Sequence, residues 1–290
     1  MTIFLTIFSL MFFYTTHNFF MTVINPLQLN IYFKVAIYIA LFLLGQSFWI
    51  LAIMISRTED KTVSFILYFI VCILIYMFFY YLIANITKIF YRELNLQLYS
   101  LVFLGISISL FAFGYFNKFF VRTTKYNLKS DKNISLKIAF ISDIHMGDLG
   151  MKERILKKVV SKINDLNPDF ILIGGDIIEN INNYKKASYS EILKGFRAKY
   201  GTYAVFGNHE YYGKDPYYVA SLLKESNIET LIDTSINIGG IELIGRHDIV
   251  IGRKNLSNII SQNDNFKLLM DHNPKAFDEA VKNGIDLQLS

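Results

Sequence analysis

Four short segments of the chain carry the residue types that hold metal ions in proteins. These segments are the polar ends of otherwise apolar runs, and their side chains offer carboxylate, imidazole and amide donors: Asp143 and His145, Asp176, Asn208 with His209 and Glu210, and His272. A mixed set of nitrogen and oxygen donors suits manganese, iron or zinc better than calcium or a thiophilic ion. The residues therefore predict a centre for divalent metal ions.

The spacing of these residues predicts how two ions could be held. Asp143 and His145 are two positions apart and can reach one ion from a loop. Asp176 has two carboxylate oxygens and can bridge to a second ion, which Asn208 and His272 would then face. Two ions about 3.5–4 Å apart can clamp a phosphate and activate water for an in-line displacement.

The histidine that follows Asn208 is a candidate acid catalyst. His209 is free to protonate the leaving group. We expect Glu210 to fix the tautomer of His209 by contacting the ring without contacting the metal ions. Each residue also has an ordinary interpretation when taken alone, since an aspartate can cap a turn, His272 can cap a helix and a loop histidine can serve packing only. The prediction therefore rests on the order of the four segments, and His247 does not join them.

The polar half of the chain alternates short apolar runs with amphipathic segments. The runs predict strands at 137–142, 170–174, 203–206, 241–244, 266–270 and 285–289. Helical periodicity over 153–166 and two proline-started segments, 216–225 and 274–283, predict helices after N-cap residues Asp215 and Asn273. This alternation indicates an α/β fold, in which ligands bind beyond the carboxyl ends of the strands. The candidate ligands follow the predicted strands directly.

The other half of the chain has the composition of a membrane region. Of the 290 residues, 53% are hydrophobic and only 18% are charged, against about 25% charged in soluble domains. Residues 1–117 hold only five Lys/Arg and three Asp/Glu. Four stretches without charge are long enough to span a bilayer, which takes about 20 residues: 1–33, 35–56, 62–87 and 94–117. We predict a four-helix transmembrane region at 1–117, a basic juxtamembrane linker at 118–136 and a soluble domain at 137–290.

The charges also predict an orientation and exclude some partners. Seven cations flank the spans on the side of the soluble domain and three on the other, so the positive-inside rule places the domain in the cytoplasm of a multi-pass protein of the inner or plasma membrane. We expect the lipid bilayer as a partner. The net charge of +5 is spread over both halves and gives no basic surface for nucleic acid. Cys72 is the one cysteine, so the metal site has no thiolate and the chain no internal disulfide.

The ordered motifs resemble the calcineurin-like metallophosphoesterase superfamily. The resemblance covers 136–290 and is carried by Asp-x-His at 143–145, Gly-Asp at 175–176, Gly-Asn-His-Glu at 207–210 and the later His272. Finer features, such as His-Asn-Pro at 272–274 and Asp-Leu-Gln-Leu-Ser at 286–290, look like its membrane-anchored branch. The resemblance implies a four-layer α/β/β/α sandwich around two divalent ions.

The resemblance also implies roles for the residues and a class of reaction. Asp143, His145 and Asp176 would hold one ion, Asp176, Asn208 and His272 the other, and His209 would be the catalytic acid. The activity would be hydrolysis of a phosphodiester or pyrophosphate bond in a small phosphorylated or lipid-linked substrate. Some members of that branch act on UDP-2,3-diacylglucosamine in lipid metabolism, and others have broad phosphodiesterase activity.

One alternative function stays open at this point. In the family, a Gly-His-x-His motif follows the segment that matches 286–290, and its two histidines add one ligand to each ion. This chain reaches Ser290 without that motif. We therefore expect a C-terminally truncated domain with deficient catalysis, while a non-catalytic membrane protein with a degenerate metal-binding domain is the alternative.

Overall fold

The protein divides into two compact units, one up to Phe120 and one from Val121 to Ser290. The computed structural model describes residues 2–46, 61–147, 151–186, 188–212 and 215–290. Each unit is built from a different kind of element, helices in the first and mixed sheets in the second.

The first unit consists of apolar helices. Their bounds are α1 Thr2–Phe19, which continues as a π-helical turn Phe20–Ile24, α2 Ile31–Gln46, α3 Lys61–Phe90 and α4 Leu96–Asn117. Three segments are long and apolar enough to cross a membrane, Thr6–Ile24, Thr62–Phe90 and Leu96–Asn117, and Ile31–Leu43 is a shorter apolar helix. The second predicted span, 35–56, runs into residues 47–56, which lie outside the described part of the chain.

The polar residues inside α1 do not interrupt the helix. The hydroxyl groups of Thr15 and Thr16 donate to the carbonyl oxygens of Met11 and Phe12, one turn earlier, at 2.9 and 3.0 Å. This bonding satisfies the hydroxyls within the helix, which is how threonine is tolerated in an apolar helix.

The second unit contains two four-stranded sheets. The first has the order β1 Ile138–Ile141, β2 Phe170–Ile173, β3 Thr202–Ala204 and β4 Ile228–Thr230, all parallel. The second has the order β5 Thr234–Ile238, β6 Ile241–Gly245, β7 Phe266–Met270 and β8 Leu287–Leu289. Only the β5–β6 pair is antiparallel among these neighbours.

The side-chain alternation along the strands creates the layers. In β2, Phe170 and Leu172 pack against the second sheet, and Ile171 and Ile173 pack against helices on the outer side. The same alternation operates in β7, where Leu268 and Met270 join the core between the sheets and Leu269 faces outward. The prediction of an α/β domain with helices, sheet, sheet and helices in four layers is confirmed.

Helices cover the two outer faces. They are α5 Glu153–Asp165, α6 Ile181–Lys186, α7 Tyr189–Leu193, α8 Pro216–Lys224 and α9 Phe277–Lys282. The predicted caps are present, since Asp215 accepts from the Tyr217 N–H and Asn273 from the Lys275 N–H. The proline-started segment at 274 begins as a 3-10 turn, Pro274–Ala276, before α9.

Two strands of the sheets were not predicted from the sequence. β4 is only three residues long, and the buried fraction of β5 is low, so neither shows a clear apolar run. β4 is a neighbour of β3 at the edge of its sheet, and β5 an edge strand paired only with β6. Edge strands with half-polar faces give weak signals because few of their side chains are buried.

Candidate metal centre

The loops after β1 and β2 have an unusual backbone at three predicted ligands. Asp143, His145 and Asp176 have φ angles of 55°, 47° and 51°, a left-handed conformation that residues other than glycine adopt at a cost. Hydrogen bonds between the loops hold it, with the Asp143 N–H on the Gly175 carbonyl at 3.1 Å and the His145 N–H on the Asp176 carbonyl at 2.9 Å. The loops are therefore fixed to aim these side chains.

Three imidazoles converge on one carboxylate oxygen. The distances from Asp176 Oδ2 to Nε2 are 3.6 Å for His145, 3.7 Å for His272 and 3.9 Å for His209. These distances are too long for hydrogen bonds. Two ligand atoms about 2.1 Å from one ion at a tetrahedral angle lie about 3.4 Å apart. The spacing therefore fits atoms that share cations.

The donor chemistry agrees with this spacing. Ligand atoms of Asp143, Asp176 and His272 lie within 4.8 Å of one another, and so do those of His145, Glu179 and His209. Carboxylate oxygens and neutral imidazole nitrogens are ligands of zinc, iron and manganese. The residues present therefore fit a centre for divalent cations, while the division of ligands between two ions stays a prediction.

Two glycines let the loops approach this centre closely. A Cβ atom at Gly207 would lie 2.2 Å from Asp176 Oδ1 and 2.8 Å from His272 Nε2. A Cβ atom at Gly175, which has a φ of +102°, would lie 2.6 Å from the Gly207 nitrogen. Any larger residue would displace the candidate ligands, so the glycines define the size of the site.

The His272 ring is oriented by a backbone group. Its Nδ1 lies 2.8 Å from the Gly174 carbonyl oxygen, which can only accept, so Nδ1 carries the proton and the Nε2 lone pair is directed toward Asp176. An outer acceptor on a ligating histidine of this kind fixes the tautomer and raises ligand basicity.

Glu179 is a site residue that the sequence analysis missed. Its Oε2 lies 2.9 Å from His145 Nδ1 and 2.6 Å from His209 Nδ1. One carboxylate thus accepts from both rings and leaves both Nε2 atoms toward Asp176. The signal in the sequence was a carboxylate three residues after Asp176. In the structure this loop is held beside the loop after β1 by a backbone bridge between Ile178 and Met146.

Glu210 has a different contact from the one predicted. Its carboxylate is fully buried and accepts from the backbone N–H groups of Asp176, Ile177, Ile178 and Gly207 at 2.7–3.0 Å. The orienting contact to the His209 ring is made by Glu179, because the 3-10 turn Asn208–Glu210 directs Glu210 back into the loop after β2. Burial raises the pKa of Glu210, and the amide donors act in the opposite direction.

Asn208 and His209 lie on that same turn. Asn208 begins it, directly after Gly207, and the His209 N–H donates to Asp176 Oδ1 at 3.0 Å. The His209 ring also lies against Tyr212, with 5.3 Å between ring centroids. The turn is therefore anchored on Asp176 and brings His209 to the centre; the role of Asn208 as a ligand and that of His209 as the acid stay predictions.

The side chain of His247 contacts Tyr211. Its Nδ1 is hydrogen-bonded to the Tyr211 hydroxyl, and its ring is tilted against the Tyr211 ring. Burial lowers the pKa of His247. It also raises the pKa of Tyr211, in the same direction as the nearby Asp248.

Comparison with known proteins identifies the domain. The sequence profile described as Calcineurin-like phosphoesterase matches residues 136–289, which include every candidate site residue.

Several curated proteins are similar over part of the chain. An uncharacterized metallophosphoesterase of Campylobacter jejuni is 35% identical over 42% of this chain and 31% of its own length. An uncharacterized metallophosphoesterase of Helicobacter pylori is 32% identical over 65% of this chain and 54% of its own. A transmembrane protein with metallophosphoesterase domain of Danio rerio is 34% identical over 33% of this chain and 22% of its own. The chain thus spans about half or less of the length of these relatives.

Proposed function

This chain belongs to the calcineurin-like phosphoesterase family, and from that premise we propose that it is a membrane-associated hydrolase that cleaves phosphodiester or pyrophosphate bonds at a two-metal centre. The observation that carries the proposal is the convergence of two candidate ligands, His145 and His272, on Asp176 Oδ2 with Nε2 distances of 3.6 and 3.7 Å. The Nε2 atom of the candidate acid His209 lies beside them at 3.9 Å. These distances are longer than hydrogen bonds and suit donor atoms that share a cation.

The proposed ligand roles follow the loops. Asp143, His145 and Asp176 would hold one ion, and Asp176, Asn208 and His272 the other. When bound, divalent ions at such a centre polarise the phosphoryl oxygens and lower the pKa of water. Hydrogen bonds between the two loops hold the left-handed backbone at Asp143 and Asp176, which supports a centre whose loops are ordered before the ions bind.

His209 is the proposed proton donor to the leaving oxygen. Its Nδ1 faces Glu179 at 2.6 Å, so a proton on Nε2 gives an imidazolium that the carboxylate compensates. The ring can then release the Nε2 proton toward the substrate without losing its orientation. The bond from the His209 N–H to Asp176 keeps the acid in register with the ligands.

The substrate we propose is lipid-linked or close to the membrane, of the type of UDP-2,3-diacylglucosamine. Its support is the presence of three helices apolar enough to span a membrane and the membrane-protein relative from Danio rerio. The excess of Lys and Arg beside the spans on the domain's side supports a cytoplasmic active site. Protease accessibility of the domain in sealed inverted vesicles would test that side.

The reaction is tested with the full-length protein and bis(p-nitrophenyl) phosphate in the presence of manganese. Asp176→Asn removes one charge from the shared ligand, and we expect turnover to fall at least about 100-fold, since even outer partners of ligands contribute 10–100-fold. Asp215→Asn is the matched control, because asparagine caps a helix as well as aspartate and Asp215 caps α8.

Two outcomes would contradict this proposal. Turnover retained by a folded Asp176→Asn protein would exclude the mechanism. A wild-type protein that binds manganese but cleaves neither phosphodiesters nor lipid-linked pyrophosphates would favour the non-catalytic alternative.

A further inference from the structure

The loop between β6 and the 3-10 turn Leu256–Asn258 exposes three consecutive aliphatic side chains. Ile249, Val250 and Ile251 are 42%, 61% and 49% exposed. Runs of three or more exposed apolar residues are unfavourable in water and are retained where they serve a contact. We refer to these three residues as the apolar tip.

The backbone beneath the apolar tip is a tight turn. Asp248 is almost fully buried; its carboxylate accepts from the Val250 N–H at 2.9 Å and its carbonyl from the Ile251 N–H at 3.2 Å. Gly252 follows with a φ of +83°, which a side chain would oppose. The turn thus directs large apolar side chains outward although the residue that begins it is in the core.

A single buried carboxylate closes both ends of the loop. Asp233 accepts from the His247 N–H at 3.0 Å and from the Lys254 N–H at 2.8 Å. With both flanks held, the apolar tip is presented by a fixed loop, so little conformational entropy is lost when the tip is buried against a partner.

The two flanks of the loop are also connected to the metal centre. On one side His247 is hydrogen-bonded to Tyr211, two residues after His209. On the other side Arg253 binds the Asp271 carboxylate at 2.8 and 2.9 Å, next to His272. The loop that carries the apolar tip is therefore anchored on the same two segments that carry His209 and His272.

We propose that the apolar tip inserts into the lipid bilayer and holds the metal-centre face of the domain at the membrane surface. The chain itself favours this occupant, because the helix α4, a candidate span, ends at Asn117 and β1 begins at Ile138. A tether of about 20 residues keeps the domain at a millimolar effective concentration beside the bilayer. A weak insertion by three aliphatic side chains is then sufficient to keep the domain at the membrane surface. Aliphatic side chains partition favourably into the acyl region of the bilayer.

The test measures how deeply the loop enters the bilayer and does not depend on activity. A negative result for insertion is therefore distinguishable from the absence of hydrolase activity. In the full-length protein with Cys72→Ser, a fluorophore is attached at Val250→Cys after reconstitution into phosphatidylcholine vesicles. Lipids with a doxyl group on the acyl chain and aqueous iodide serve as quenchers. The matched position is Ser161→Cys on the exposed side of α5.

We expect the label at residue 250 to be quenched by the doxyl lipid and protected from iodide, with the reverse at residue 161. Ile249→Ser together with Ile251→Ser should abolish the lipid quenching at residue 250. Should that double variant fail to fold, the comparison of the labels at residues 250 and 161 without the serine substitutions still shows whether the loop enters the bilayer.

Two results would overturn the insertion. Iodide quenching at residue 250 equal to that at residue 161 would leave the apolar tip in water. Protection from both quenchers would mean that protein covers the tip, either a second copy or another part of this chain.

Discussion

Between the apolar helices the polar contacts join neutral side chains, whereas the α/β unit also buries charged side chains. Asn85 Nδ2 donates to the Tyr14 hydroxyl at 2.7 Å and to Asn18 Oδ1 at 2.9 Å. Thr22 and the fully buried Tyr81 share a hydroxyl contact at 3.0 Å. This network between α1 and α3 satisfies its members internally.

The α/β unit contains one set of charged side chains in direct contact and another that converges on Asp176 at longer distances. Arg246, only 2% exposed, lies 2.9 Å from Glu279 and 3.9 Å from Asp271, which Arg253 also binds. These charges compensate each other. At the metal centre three Nε2 atoms converge on Asp176 Oδ2 at 3.6–3.9 Å, which is longer than a hydrogen bond.

The comparison distinguishes polar groups that stabilise the fold from polar groups that are arranged to bind a ligand. A satisfied network has no donor or acceptor left for a ligand, so it fixes helix packing or the loops beneath a site. A cluster whose donor atoms converge at the spacing of metal ligands can instead bind cations. Changes to the three kinds of group should therefore differ in size and in what they affect.

The largest effect on folding is expected from the buried arginine. Arg246→Gln leaves the Asp271 and Glu279 carboxylates with one cation fewer, and breaking a buried charge pair typically lowers the free energy of unfolding by about 3–5 kcal/mol. Hydrogen exchange of the β6 and β7 amides in the full chain measures this loss, because it reports the free energy of opening.

Arg197→Gln is the control for that change. Arg197 is exposed, and surface substitutions usually alter stability by less than about 0.5 kcal/mol. Equal effects of the two variants would mean that the buried charges add nothing beyond a surface charge.

The next effect concerns the carboxylate behind two imidazoles. Glu179→Gln keeps the shape of the side chain but removes the charge that faces His145 and His209. We expect manganese affinity and kcat/KM to fall about 10–100-fold, with the unfolding free energy nearly unchanged. Calorimetric metal titration separates this loss of orientation from a loss of fold.

Glu225→Gln, at the exposed end of α8, is the corresponding control. If Glu179→Gln binds manganese as tightly as this control does, the proposed orienting role is wrong.

A smaller effect should appear as a dependence of stability on pH. Burial would raise the pKa of Glu279, but the Leu256 N–H and Arg246 outweigh it and the pKa lies below the usual 4.5. A lowered folded-state pKa means that the stabilisation is present above pH 4.5 and is lost as the pH falls through the lower value. We expect wild type to exceed Glu279→Gln by about 1 kcal/mol near neutral pH, with the difference shrinking in acid.

The pH series is read by hydrogen exchange of the β6 amides, with the exposed Glu229→Gln as reference. A difference that stays constant into acid would show that Glu279 acts through its shape and not its charge.

The residue patterns predicted an α/β unit with helices beside its sheet because these features are local, whereas the four layers were implied by the family resemblance. Alternation in β2 and β7 decides which sheet face each side chain meets, and helical periodicity decides the buried side of α5. The positions of the candidate ligands after the strands follow from the same patterns. These features need only neighbouring residues.

The contacts that were missed depend on how loops meet in space. Nothing local distinguishes Glu179 from Glu210 as the partner of His209, since both are carboxylates close to a candidate ligand. The left-handed backbone at Asp176 and the direction of the 3-10 turn Asn208–Glu210 determine which of the two glutamates contacts His209. The hydrogen bonds of Asn85 likewise join helices about 70 residues apart, which helical periodicity alone does not reveal.

The smallest effect is expected in the neutral network between the helices. Asn85→Leu removes the bonds to Tyr14 and Asn18 but adds an apolar side chain of similar size. Hydrogen bonds between membrane helices average about 0.6 kcal/mol and reach about 1.7. We expect a decrease of that order in the unfolding free energy of the helical unit, measured by steric trapping in lipid, and no change in kcat/KM. A tenfold loss of turnover in Asn85→Leu would instead show that this network affects the metal centre. The distinction between polar groups that stabilise the fold and polar groups that bind a ligand would then be wrong.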